Sequence, residues 1–138
     1  MTSLAGTPES SAPVDTARHF LDCLARQEFE GLAAVLADDV RLRAVLPGDT
    51  LEWEGRERVT KTFVRWFGNT EAFELLDAVV DDLGPRVHMF WRARVRAERF
   101  GEGWHRVEQQ AYAEADDHNR IEHIWLTCSG YLPETTAR

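Results

Sequence analysis

The sequence predicts one α+β domain in which three helices of the N-terminal half pack on a strongly curved, mostly antiparallel sheet of about six strands. Three observations lead there. Apolar residues recur at helical spacing in three segments that end at Phe67, and long runs of period-two alternation follow from Phe73. The breaks between those runs are Gly-, Pro- and Asn-containing stretches of hairpin length. Helices first and meandering strands afterwards make an α+β chain, not an alternating α/β one. The length of 138 residues suits a single domain.

Residues 1–13 are small, polar and proline-containing and read as a disordered tail; residues 14–133 form the domain, and residues 134–138 fray. The first helix aligns Ala17, Phe20, Leu21 and Leu24, with Asp15 placed to cap it. The second, a short one, puts Phe29, Leu32, Ala33 and Leu36 on one side. The third follows Gly55 and aligns Val59, Phe63, Trp66 and Phe67. Each has an apolar stripe and a charged back, so each lies on something larger. Two short strands at 40–46 and 50–54 flank the turn Pro47-Gly48-Asp49, and four longer ones span 73–83, 87–98, 104–115 and 121–129.

Alternation assigns the faces. Val87, Met89, Trp91, Ala93 and Val95 oppose His88, Phe90, Arg92, Arg94 and Arg96; Val107, Gln109, Ala111 and Ala113 oppose Arg106, Glu108, Gln110, Tyr112 and Glu114. Val40, Leu42 and Ala44 oppose Arg41 and Arg43. Turning the apolar member of each pair toward the helices leaves Arg and Glu columns outside, where opposite charges pair.

Composition excludes several function classes. A net charge of −8, with fifteen Arg and one Lys interleaved among acids, argues against nucleic acid. No apolar run approaches the ~20 residues that cross a bilayer, so no membrane partner is expected. Cys23 and Cys128 are too few for a disulfide framework, and a reduced cytoplasm is the expected location. Five Trp and seven Phe must fill a core, line a pocket or build an interface.

The stretch ARHFLDCLARQEFEGLAAVLADDV at 17–40, then EWEGRERV at 52–59, then four long strands, resembles the SnoaL-like branch of the nuclear transport factor two superfamily. The ending WLTCSGY at 125–131 resembles the last strand of a subset of its members. The resemblance implies a cone-shaped α+β barrel that holds a ligand inside, and it extends to ketosteroid isomerase, polyketide cyclases, epoxide hydrolase, dehydratases and non-catalytic members. One fold of this kind predicts little chemistry. The places where ketosteroid isomerase carries its phenol, its carboxylate base and its second carboxyl fall on Phe20, Ala44 and about Ala111, all chemically mute. The same overlay turns Ile124, Leu126 and Cys128 inward.

Gln109 is the polar residue of the predicted inner face; it either orients a ligand by hydrogen bonding or is satisfied by backbone or water. Asp77 sits amid Leu75, Leu76, Val79 and Val80. Turned inward it would be a general acid or base; turned outward, the favoured placement, it pairs with an Arg of the next strand. Cys128 faces inward and reads as an inert buried thiol. His88, His105 and His123 count onto the charged face and form no metal set. Trp53, Phe63, Phe67, Met89 and Trp91 stack on a flat apolar ligand or fill the cone, with Phe20, Leu42, Ala44, Ala111, Ile124 and Leu126 completing the wall. Phe90, Tyr112 and Trp125 lie outside, where an aromatic patch suggests a homodimer through the outer sheet face.

Two functions fit. One is cofactor-independent isomerase, cyclase, dehydratase or hydrolase chemistry on an apolar metabolite, without a metal. The other is a non-catalytic module that binds an apolar ligand or serves as an accessory dimerisation unit.

Overall fold

A computed structural model describes residues 11–134. Helix α1 spans Ala12–Arg26 and α2 Phe29–Ala34; strands β1 (Leu36–Leu46) and β2 (Asp49–Glu54) precede α3 (Arg56–Phe67). Then come β3 (Ala72–Asp82), β4 (Arg86–Arg96), a 3-10 turn at Glu98–Phe100, β5 (His105–Ala115), β6 (Ile121–Cys128) and the two-residue β7 (Leu132–Pro133). The predicted tail at 1–13 falls mostly on undescribed residues. Its last three lie in the structure, where Ser11 is the N-cap of α1, its hydroxyl accepting the Val14 N–H at 3.3 Å. Ser11 thus takes the capping role that the sequence assigned to Asp15, which lies in the first turn instead.

The sheet runs β2-β1-β6-β5-β4-β3 and does not close; β7 pairs with the start of β5. Every pairing is antiparallel except β1 with β6, which brings the last long strand to the middle of the sheet. Pro47 and Gly48 join β1 to β2, with Leu46 opposite Asp49; Gly48 has φ +81°, the left-handed geometry that a two-residue turn with Pro first demands. Leu36, expected on the second helix, opens β1 by pairing with Ile121, and the register then slips before Arg41. The slip leaves Asp38 and Asp39 both exposed. Arg56 ties this corner down, donating twice to the Leu36 carbonyl and pairing with Asp38 at 2.7 Å.

The predicted inner face is the buried one. Leu42, Ala44, Met89, Trp91, Ala93, Val107, Ala111, Ile124 and Leu126 all lie in the core beneath α1 and α3. Phe20 of α1 meets the Phe63 ring edge-on at 5.3 Å and Trp91 of β4 at 6.1 Å, so one aromatic contact links both helices to the sheet. Each such ring contributes about 1.5–3 kcal/mol by leaving water. Gly31 of α2 has no side chain to hinder the close approach of the Cys23 sulfur, 2.8 Å from where a Cβ would stand.

Candidate functional site

Three residues form a row across the inner face: Trp91 on β4 faces Gln109 on β5, which faces Cys128 on β6. Strand pleating brings them together, since all three have the parity of the apolar face. Gln109 is 1% exposed and Trp91 0%. Both amide atoms of Gln109, and the indole Nε1 of Trp91, are buried without a hydrogen-bond partner. A buried polar atom left unpaired costs about 1–3 kcal/mol and is uncommon enough in folded proteins to require a reason. These three atoms are themselves inaccessible to solvent, so water does not satisfy them in this conformation. The third member, Cys128, is half-buried, its sulfur accepting the Gly130 N–H at 3.4 Å.

His105 joins this face, against the expectation that it lies on the charged side. It shares the odd parity of Val107 and Gln109, is 7% exposed, and its Nδ1 is also unpartnered. Correct counting along β5 would have found it. It lies four positions before Gln109 along the strand, a span of about 13 Å, so the two serve different parts of the interior.

Asp77 stands outside the cone. The register of β3 against β4 shifts between Leu75 and Asp77, and the extra residue, Leu76, returns Asp77 to the outer face. There its carboxylate is 54% exposed and pairs with Arg92 at 3.0 Å. It cannot serve an interior site as acid or base. Among the described residues the inner face carries no carboxylate.

The residues expected to line a pocket do converge, but they leave no void. Phe20, Phe63, Phe67, Met89 and Trp91 show no solvent-accessible surface, and Trp53 is half-buried against Trp66 with ring centroids 5.9 Å apart. The aromatic surplus that suggested a hollow fills it. Surface concavities exist at the start of α3, among Asp38, Glu54, Arg56 and Lys61, and on the outer face by Arg41, His123 and Trp125. The second also touches Leu42, Trp53 and Ile124 of the expected wall, but neither is lined by those five core residues. A groove of about 280 Å³ touches Gln109 and Cys128 from the outer side, with Phe90, Glu108 and Ser129.

The segment after β6 straps one end of the cone. Gly130, at φ +81° and packed against Pro47, turns the chain so that Tyr131 stacks on Phe100 at 4.2 Å and donates its hydroxyl proton to the Trp66 carbonyl. Burial, with a smaller contribution from Cys128, raises the Tyr131 phenol far above its ordinary range, so it stays a neutral donor. Arg99 donates to the carbonyls of Arg65, Trp66, Gly68 and Asn69, and the Gln27 amide donates to that of Phe67. The end of α3 is thereby capped from three elements. Glu134, expected to fray, is instead held by Arg94 and Arg106, both at 2.9 Å, and these hydrogen bonds lower its carboxyl pKa. Residues 135–138 are not described.

Outside, charges pair in columns: Arg92 lies between Asp77 and Glu108, Arg94 between Glu74 and Glu134, and Arg86 beside Glu114. Phe90 and Trp125 are half-buried, and Tyr112 is 42% exposed. Arg86 covers Trp125 at 5.0 Å and His123 stacks on it at 5.1 Å. Glu114, Glu122 and His123 bring ligand-type atoms within 4.8 Å of one another, a grouping that sequence spacing missed because the β5–β6 register shifts at Glu114. Arg86 already occupies Glu114 at 2.8 Å, which accounts for the grouping as ion pairing.

The model of the SnoaL-like domain family matches residues 17–122, from α1 through β5. The chain belongs to the SnoaL-like domain family. Solved structures carry the same fold at low identity. An M. tuberculosis LEH-like epoxide hydrolase is 20% identical, with TM-score 0.66, over 88% of this chain and 86% of its own. A proposed polyketide cyclase from Xanthomonas campestris pv. campestris is 18% identical, with TM-score 0.67, over 84% and 89%. An NTF2-like protein from Burkholderia xenovorans LB400 is 14% identical, with TM-score 0.67, over 89% and 93%. No curated protein sequence matches the chain. At such identities the likeness of this SnoaL-like chain to solved structures extends to the fold alone, and no described helix is long and apolar enough to cross a membrane.

Proposed function

We propose that this SnoaL-like protein takes a small apolar molecule into its cone and orients it on Gln109. The observation that carries the reading is the buried amide with neither end partnered, beside an equally unpartnered indole N–H. A native core rarely keeps such atoms idle, and a ligand that hydrogen-bonds to them offsets their desolvation. Entry requires the packed rings to part. Binding and positioning are what this interior is equipped for. Isomerase, cyclase, dehydratase or hydrolase turnover on an apolar metabolite would have to proceed without an inward carboxylate, His105 being the inward titratable imidazole. Two unpaired thiols, one buried, fit a reduced cytoplasm.

The test is titration with the neutral fluorescent probe N-phenyl-1-naphthylamine, together with native mass spectrometry of the purified chain. Saturable binding of one probe per chain, or a co-purified small molecule, supports the reading. Absence of both overturns it.

The outer face favours a second, compatible role as a dimerisation module. Phe90, Tyr112 and Trp125 form an aromatic centre framed by paired charges, the composition of an interface with a polar rim. A second copy of this chain is the proposed occupant. Light scattering should give twice the monomer mass of 15.8 kDa; the monomer mass itself overturns the dimer.

A further inference from the structure

We infer that the ligand of the cone carries an uncharged head group with a carbonyl oxygen and an adjacent N–H or O–H donor on one edge, as in a lactam, a primary amide or an undissociated carboxylic acid. The inference rests on the pocket reading above and goes on to specify what the pocket selects. It follows from an inventory of the unpartnered atoms. Gln109 supplies two donor hydrogens on Nε2 and an acceptor, Oε1; Trp91, directly across β4–β5, supplies one donor on Nε1. A carbonyl oxygen has two lone pairs, so one oxygen accepts from Nε2 and from the indole together. The donor beside it on the same edge bonds to Oε1, so that of the whole inventory one Nε2 hydrogen alone is left over. Carbonyl and donor must therefore be adjacent, since a single amide side chain presents both of its complements side by side.

Charge sharpens the choice. The positions around the row on the inner face, Met89, Ala93, Val107, Ala111 and Leu126, are all apolar and buried. A carboxylate head would arrive without a cation and would set one anionic oxygen against Oε1, leaving a buried charge unpaired. A head with acceptors alone leaves Oε1 unsatisfied. A hydrocarbon leaves all of the row unsatisfied. Because Gln109 is 1% exposed and Trp91 0%, water is not available to make good the mismatch, and discrimination among these heads is strong.

Four two-ring probes separate the cases by isothermal titration calorimetry: isoquinolin-1(2H)-one, a lactam; isocoumarin, its lactone counterpart with acceptors only; naphthalene; and 2-naphthoate, an anion at neutral pH. The lactam should bind at least about tenfold more tightly than the lactone, and the anion most weakly. In Gln109→Leu the preference of lactam over lactone should fall to within about twofold, with naphthalene binding as well as before or better. Gln109→Met serves the same purpose where Gln109→Leu does not fold. Trp91→Phe keeps an aromatic ring but removes the donor together with the pyrrole half of the indole, so lactam and lactone should both weaken several-fold relative to naphthalene, which senses the lost packing alone. Naphthalene binding with the lactam no tighter than the lactone, or a lactam preference that survives Gln109→Leu, overturns the head-group inference and leaves the pocket standing. If none of the four binds, the pocket and the inference fall together.

Discussion

The two faces of the sheet share the same strands and turns yet settle their polar groups in opposite ways. On the outer face most charges have a partner within reach, the Nδ1 of half-buried His123 being an exception: Arg92 is shared between Asp77 and Glu108, and Arg94 and Arg106 converge on Glu134. On the inner face Gln109, Trp91 and His105 are better buried than any of these and have unpartnered atoms. If polar groups were arranged for stability alone, the pattern would be reversed, because water satisfies an exposed group at little cost and cannot reach a buried one. The inner face is therefore stable through its apolar packing and polar for another reason, which the proposed recognition of a ligand would supply.

Substitutions can break or sharpen this contrast. The largest effect is expected for Trp91→Ala, which empties the volume between Phe20 and the sheet and should cost about 3–5 kcal/mol in urea denaturation. A loss under about 1 kcal/mol would show that the inner face is not close-packed. Gln109→Leu should act in the opposite direction, raising the stability of the ligand-free protein by about 1 kcal/mol, because it removes two unpaired buried atoms of similar volume. A loss of stability instead would mean that the amide already has a partner, and the contrast between the faces would disappear.

Outer-face changes should be smaller. Arg92→Ala removes two ion pairs but exposes nothing that water cannot solvate, so the same denaturation should show a change below about 1 kcal/mol. The smallest expected effect depends on pH. Burial disfavours charge on His88, but the hydrogen bonds that its ring donates to the Asp81 carboxylate and the Gln110 Oε1 outweigh it and hold the imidazole above its ordinary pKa. A raised folded-state pKa stabilises the fold below the unfolded value, near 6.5, and that stabilisation is lost as pH rises through the folded value. Comparing the wild type with His88→Gln should thus show an advantage of a few tenths of a kcal/mol near pH 5.5 that has vanished by about pH 8.5. An advantage that grows with pH would contradict the Asp81 pairing.

How legible was all this in the chain? The helices of residues 17–67, the strand order in sequence and the inward set of Leu42, Met89, Trp91, Gln109, Ala111 and Leu126 could be read from local periodicity. A pleated strand alternates its side chains whatever it packs against, so the apolar partner of each pair had to be the buried one. His105 obeys the same rule through its odd position in β5. The family was legible too, from motifs spread over most of the chain.

What the sequence determined by itself was therefore every feature that repeats at the period of one helix or one strand. Tertiary structure alone decided the rest. The register shift at Leu76 put Asp77 outside, the shift at Glu114 gathered Glu122 and His123 near it, and the turn at Gly130 folded Tyr131 back onto the end of α3. It also decided whether five large rings would line a hollow or fill it. Each of these depends on where two distant strands begin to pair or how side chains from different elements interlock, and neither is encoded in the spacing of neighbouring residues.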